Sequence, residues 1–387
     1  MQNQLAHPYP QFKKDDIILQ VIPHLGVGGA ERTTLEIATA LLEAGATPLV
    51  CSGGGRLETE MEKMQIDCFT WNVYTKNPIL IMINAIRLAF LIKSKSVKII
   101  HARSRAPAWS CYLASKLTGI PYVTTFHSPY KFKSKLKLFY NSVMGRADRV
   151  IANSDYVANY VLSNYKVPES KLTRIYRGVD LDHFNPDNIS DEDISALKKT
   201  WVIPEGKRII LMPARLTHWK GQTFALEALK YLTSKDWMIV FVGSDQGRKA
   251  YKQSLIERAT FYGLIDQVRF IDHCANMPLA YTLSDLVLSI SLEAEAFGRV
   301  IVEAEAMERL VIVTENGAAH ETIIENETGY LVKSDDPKGL AACIETILSM
   351  PDDERREKEK KARTFAASTF DIRIMCQKTL ELYKTLC

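Results

Sequence analysis

The sequence predicts an α/β protein of two domains, each a parallel sheet flanked by helices. Two observations carry that expectation. Compact apolar runs of strand length, such as IILQVIP at 17–23, RIILMPARL at 208–216 and WMIVFVGS at 237–244, recur along the chain and alternate with longer stretches of helical periodicity. The 387 residues suit two cores, and the polar, acidic NISDEDIS at 188–195 separates two strand–helix arrays of similar size. The expected division is a loose, polar tail over 1–16, a first domain over 17–187, a linker over 188–200 and a second domain over 201–370. A last helix over 371–387 is expected to pack back towards the first domain.

Taken in order, the strand IILQVIP runs into the glycine turn and helix HLGVGGAERTTLEIATALLEAG. Gly26, Gly28 and Gly29 come close to a dinucleotide fingerprint, but Glu31 stands where its third glycine belongs, and the next strand, TPLVCSGGG, ends without an acid for a ribose. An NAD site is therefore rejected, and a tight turn that needs glycine torsions competes with a ligand loop. ILIMINAIRLAFLI at 79–92 is very apolar, yet it carries Asn84 and Arg87 and is too short to span a bilayer, so a helix packed on the sheet is expected. VKIIHARSRAPAW and YVTTFHSP then place His101, Arg103, Arg105 and His127 at the carboxyl ends of strands, the edge where open α/β sheets hold ligands. A lone histidine there is more often structural.

Charge divides unevenly. Residues 1–185 carry 23 Lys+Arg against 14 Asp+Glu, or +9, and the remainder 26 against 31, or −5. Within the basic half, residues 130–149 interleave aromatics and leucines with Lys131, Lys133, Lys135 and Lys137. Such a segment suits an anionic membrane surface, a phosphorylated acceptor, or simply a solvated lysine face. Nucleic acid ranks lower, since no helix-turn-helix, zinc-finger or RNA-binding signature is present. Seven scattered cysteines without a CxxC pair suggest neither a disulfide framework nor a metal site, and they fit a reducing compartment. The first residues lack the apolar core of a signal peptide or anchor.

In the second half Arg215 and Lys220 bracket a strand-to-helix turn, so two cations can converge on a dianion. SLEAEAFGRVIVEAEAM at 291–307 places Glu295 before, and Glu303 within, a helix that starts near Gly298. Val300, Ala304 and Met307 share an apolar face of that helix, and Glu303 is expected among them, where a sugar diol would supply its donors. The N–H groups of Phe297, Gly298, Arg299 and Val300 form a helix N-terminus suited to phosphate. The competing reading is a surface helix whose acids complement the dipole at its start.

Arg215, Lys220-Gly221 and Glu295-x-Phe-Gly-(x4)-Glu303-Ala together resemble the donor-site signature of retaining GT-B glycosyltransferases of the large family-4 group. Gly28-Gly29-Ala30-Glu31, Thr125-Phe126-His127 and Arg177-Gly178-Val179-Asp180 resemble further segments of that family, so the likeness covers nearly the whole chain. HARSRAPAW and RGVDLDHF look most like bacterial enzymes of lipopolysaccharide-core or surface-glycan synthesis.

The resemblance implies two Rossmann-like domains facing across a cleft, and transfer of a hexose from a nucleotide sugar to a lipopolysaccharide-core or other lipid-linked acceptor with retention of configuration. It implies catalytic roles for His127, Glu295, Arg215 and Lys220. Arg215 and Lys220 would grip the diphosphate, Glu303 the ribose, and Glu295 with the Phe297 and Gly298 amides the sugar, while Gly28, Gly29, Arg299 and Val300 complete the donor set. Arg103, Arg105, His127, Lys131 and Lys133 would serve the acceptor side. No metal and no cofactor beyond the donor is implied, and the expected place is the cytoplasm, peripheral on the inner face of the membrane. An epimerase or hydrolase of the same fold, or a non-catalytic membrane-binding protein, are the alternatives. The chain departs from the family in having Glu308 where a Gly is usual, Leu310 near a usual Pro, and Gly317-Ala318-Ala319 for a Gly-Gly-Ala turn.

Overall fold

The computed structural model describes residues 9–26 and 28–387. The chain forms two units, 1–178 with 372–387, and 179–371.

The first unit alternates strand and helix: β1 (Ile17–Val21), α1 (Gly29–Glu43), β2 (Thr47–Ser52), α2 (Glu58–Lys63), β3 (Asp67–Thr70), α3 (Pro78–Ser94), β4 (Val97–Ala102), α4 (Arg105–Thr118), β5 (Tyr122–Phe126), α5 (Lys135–Ser142), β6 (Arg149–Ala152), α6 (Asp155–Tyr165) and β7 (Leu172–Arg174). Its seven strands are parallel in the order β3-β2-β1-β4-β5-β6-β7. The central strands are buried on both faces, which is why they read as unbroken apolar runs.

The second unit follows with α7 (Asp191–Thr200), β8 (Arg208–Pro213), α8 (Gln222–Leu229), β9 (Trp237–Val242), α9 (Lys249–Phe261), β10 (Val268–Ile271), α10 (Met277–Leu283), β11 (Leu286–Ser289), α11 (Arg299–Ala306), β12 (Val311–Thr314), β13 (Gly329–Val332), α12 (Pro337–Leu348) and α13 (Asp352–Phe370). Six parallel strands run β10-β9-β8-β11-β12-β13 around a core that includes Ile210, Phe224, Trp237, Leu288 and Ile344. Both units are thus Rossmann-like α/β domains. Helix α14 (Ile372–Lys384) belongs to the first unit, where Met375, Leu380 and Tyr383 share a core with Ile37 and Leu41 of α1.

Three expectations are corrected. The stretch 188–200 is no open linker: Ser190 caps α7 by accepting from Asp193 N, and α7 packs on α10, so the boundary moves back to 178/179. Within the expected loose tail, residues 1–8 lie outside the described residues, but Tyr9 and Phe12 are buried in the α1–α14 core and Phe12 N donates to Ala44 O at 2.8 Å. Burial of the two aromatics and this backbone hydrogen bond offset the chain entropy that the segment loses. Helix α3 does pack on the sheet, but only by one side; the other is exposed.

Candidate active site

In each sheet the strand order reverses once, between β1 and β4 and between β8 and β11. Loops that leave the carboxyl ends of such neighbours diverge and open a crevice between them. In the second unit those loops are 214–221 and 290–298, and they hold Arg215, Lys220 and Glu295.

Lys220 Nζ forms an ion pair with Glu295 Oε1, both side chains being about four-fifths buried. The ammonium also lies 4.3 Å from the centre of the Trp219 ring, and Ser291 Oγ donates to the same carboxylate oxygen at 2.6 Å. Leu292 N donates to Trp219 O at 2.7 Å and stitches the two loops together. Two glycines permit this approach. A Cβ at Gly221 (φ +85°) would stand 2.1 Å from Ile290 O, and one at Gly317 (φ +70°) 2.1 Å from Glu295 O. The Glu295 carbonyl accepts from Ala318 N at 3.0 Å, so the Gly317-Ala318 turn fixes the backbone of the carboxylate. Arg215 is exposed, on a backbone held by Leu216 N to Ser244 O.

Helix α11 starts at Arg299 with Gly298 as its cap, so no side chain caps the N–H groups of its first turn. Phe297 anchors the entry by burying its ring edge-on against Phe370 at 5.6 Å; Arg299 and Val300 in the first turn are partly buried. Glu303 does not sit unanswered among apolar groups, as its spacing suggested. Tyr281 OH donates to its Oε2 at 3.0 Å, and Arg299 Nε lies 3.3 Å from Oε1. A carboxylate has about four lone-pair positions, so it can still accept sugar hydroxyls while both partners fix its plane. Tyr281, on α10, carries no motif that would have marked it.

The carboxyl group surrounded by apolar neighbours is Glu305, fully buried, with Oε1 accepting from Thr328 Oγ1 at 2.6 Å and Oε2 without a partner. Burial holds its carboxyl well above the usual carboxylate range, the Thr328 bond opposing. An acid whose folded pKa is raised contributes stability that is fully present below its unfolded value and is lost as pH rises through the folded one. Glu305→Gln keeps the Thr328 contact, so its urea-unfolding free energy is expected to fall less than the parent's between pH 5 and 8. An equal fall in both proteins would show that Glu305 is ionised when folded. Glu308, at the family's usual glycine, has φ +55°, so the position keeps the left-handed backbone that favours glycine.

In the first unit Arg103, His127, Asn153 and Arg177 follow β4, β5, β6 and β7 in turn and line one small cavity of about 20 Å³ together with Thr33 and Thr125. Arg103 is 2% exposed, and its Nε and Nη2 have no hydrogen-bond partner. Burial works against its charge, while Tyr383 and Glu36 support it. Both His127 ring nitrogens are buried outside hydrogen-bond geometry. Burial, then Arg177 and Arg103, depress its pKa well below the usual imidazole value, with the Arg103 carbonyl pulling weakly the other way, so the ring is neutral. Asn153 Nδ2 donates to His127 O at 3.3 Å, leaving its Oδ1 without a partner.

His101, by contrast, is structural, closed between Tyr383 OH (2.5 Å) and Thr125 Oγ1 (2.8 Å). Arg105 does not join the cavity. It donates to Asn141 Oδ1 at 3.0 Å and stacks on Tyr130, which ties the segment before α5 to α4. Lys131 and Lys133 are exposed on that segment. Gly28 caps α1 at φ −77°, an ordinary conformation, and a Cβ there would meet only the end of the Glu31 side chain, which can swing away. Gly29 opens α1, and Val27 lies outside the described residues. Asn153 and Arg177 were within reach of the strand-end rule that singled out Arg103 and His127.

A larger cavity of about 340 Å³, lined by Arg208, Leu232, Trp237 and Glu345, opens where β8 and β9 begin. That is the edge opposite Arg215 and Glu295, where this topology does not gather loops for chemistry.

The description "Glycosyltransferase Family 4" matches residues 27–183, and "Glycosyl transferases group 1" matches residues 193–365. A glycosyltransferase from Rickettsia africae is 37% identical in sequence, with a TM-score of 0.90 over 96% of this chain and 98% of that one. HepE from Anabaena, solved in complex with UDP, is 25% identical, with a TM-score of 0.84 over 96% of this chain and 100% of that one. The D-inositol 3-phosphate glycosyltransferase 1 of Catenulispora acidiphila is 26% identical over 274 residues, and the match spans 65% of this chain and just under two thirds, 64%, of that protein. With two Rossmann-like domains and loops gathered at their switch points, the chain belongs to the glycosyltransferases, its first part of the family 4 type and its second of the group 1 type.

Proposed function

We propose that this glycosyltransferase moves a hexose from a nucleotide sugar to a lipid-linked acceptor bearing an anionic group, such as a lipopolysaccharide core, with retention of configuration. Its place would be the cytoplasm, on the inner face of the membrane. The observation that carries the donor half is the Lys220–Glu295 pair at the switch point of the second sheet, with Arg215 on the same loop as Lys220 and the start of α11, free of a side-chain cap, following Glu295. Breaking the sugar–phosphate bond leaves charge on the diphosphate and positive character on the sugar. Lys220, Arg215 and the α11 N–H groups answer the first, the Glu295 carboxylate the second. Glu303, oriented by Tyr281 and Arg299, accepts the ribose hydroxyls. The departing phosphate takes the acceptor's proton on the face it leaves, which gives retention. The UDP of the Anabaena relative supports a nucleoside diphosphate as the ligand of this seat.

The acceptor half rests on the cavity of the first unit. Two guanidiniums and a neutral His127 meet there, and Arg103 presents buried N–H groups without partners. Such a set is costly to bury alone and suits an anionic oxygen. The phosphate in the name of the Catenulispora relative's substrate fits the same chemistry.

Calorimetric titration with UDP, GDP and ADP, followed by NMR of the anomeric proton in the product, tests the reading. Binding of one diphosphate and an unchanged anomeric configuration are expected. His127→Ala should bind that nucleotide as the parent does yet transfer more slowly. Turnover of the nucleotide sugar at full rate without acceptor would point to a hydrolase or epimerase instead.

A further inference from the structure

Helix α3 is apolar on both sides, and only one is used. Asn84, Ala85, Leu88, Leu91 and Ile92 are buried, with Asn84 Nδ2 donating to Asn72 O at 2.7 Å. At 100° per residue Ile79, Met82, Ile83, Ile86 and Phe90 fall on the opposite side. All five are in solvent, from 44% exposed at Ile83 to 75% at Phe90, and Leu80 adds 43%. Isolated exposed apolar residues need no explanation, but six on one helix of 17 residues form a patch that water-facing helices avoid.

The charge around the patch is one-sided. No Asp or Glu occurs between Asp67 and Asp148, while Lys76, Arg87, Lys93, Lys95, Lys98, Arg105, Lys116, the four lysines of 131–137 and Arg146 do, beside the buried Arg103. That stretch builds α3, α4 and α5, which adjoin in the fold. Ser110 Oγ of α4 donates to Ile81 O of α3, and Trp109 Nε1 of α4 donates to Tyr140 O of α5. Leu117 on α4 (57%) and Leu136 and Phe139 on α5 (78% and 53%) extend the exposed apolar surface among those lysines. Lys95 reaches an acid at the margin, Asp67 at 3.8 Å.

We propose that the exposed side of α3 is the element by which this protein enters the interface of an anionic bilayer, the lysines of α5 and its approach supplying the attraction. The inference rests on the membrane reading above and gives it a location. Lying in the membrane plane, α3 offers about 25 Å of apolar side. It does not cross: among the described residues no helix is long and apolar enough to span a membrane. A second copy fits less well, because pairing this face with itself would oppose two lysine-rich surfaces.

Co-sedimentation with vesicles of phosphatidylcholine alone and with phosphatidylglycerol added, at low and high salt, decides it. The full chain is expected to bind only the anionic vesicles. Ile83→Ser, Ile86→Ser and Phe90→Ser combined should lower that binding at least about tenfold at both salts, since what is lost is insertion. Replacing Lys131, Lys133, Lys135 and Lys137 by Gln should lower it up to about fivefold per lysine at low salt and little at high salt. Both variants should titrate nucleotide as the parent does. Parent-like vesicle binding by the serine variant overturns the inference. So does a parent dimer in light scattering that this variant dissolves while vesicle binding persists. A chain that titrates nucleotide but ignores anionic vesicles refutes the docking surface and leaves the donor site standing.

Discussion

Lys220→Ala is expected to weaken binding of the nucleoside diphosphate by about 1.5–3 kcal/mol, roughly ten- to a hundredfold. The ammonium is already oriented by Glu295 and by the Trp219 ring, so one N–H is engaged and the others can meet phosphate oxygens without much further ordering. Its removal has a second cost. Glu295, about four-fifths buried, would then face the incoming phosphates with only Ser291 donating to it, and like charges repel. The loss should therefore lie at the upper end of the range, and Lys220→Ala with Glu295→Gln should recover part of it, a coupling that a double-mutant cycle reads directly. Arg215→Ala should cost less, because its guanidinium is exposed and must be ordered by the ligand. Calorimetry on the parent and these variants measures all of this. Parent-like affinity in Lys220→Ala would place the diphosphate elsewhere.

Glu303→Gln and Glu295→Gln should fail in different ways. Glu303 lies between Tyr281 and Arg299, and its remaining lone pairs are those proposed for the ribose. The amide keeps one acceptor for Tyr281 but loses the charge that holds Arg299, so nucleotide and nucleotide sugar should both bind about tenfold more weakly. Glu295 is proposed to act on the sugar, where positive character develops only as the bond breaks. Its amide should leave diphosphate affinity near the parent value and lower kcat by about a hundredfold. Single-turnover rates beside titrations separate binding from chemistry. Equal loss of nucleotide affinity in both variants would mean that the ribose and sugar sides have been exchanged.

The sequence determined the architecture. Strands buried on both faces leave unbroken apolar runs, and their alternation with helices leaves a parallel sheet as the simple solution, so both domains could be read before any contact was known. It also marked Arg215, Lys220, Glu295 and Glu303, because their residue types at strand ends and a helix start carry a chemical meaning. Tertiary structure decided which groups these meet. Lys220 and Glu295 are 75 positions apart and become partners only because β8 and β11 are adjacent at the switch point. Tyr281 reaches Glu303 from another helix, and Glu305 rather than Glu303 is the fully buried acid, since helix rotation is set by packing on α13, β11 and β12. The same limit explains α3. A helix apolar all round carries no periodic signal of which side is covered, so only its docking on α4 and β4 could show which side remains in solvent.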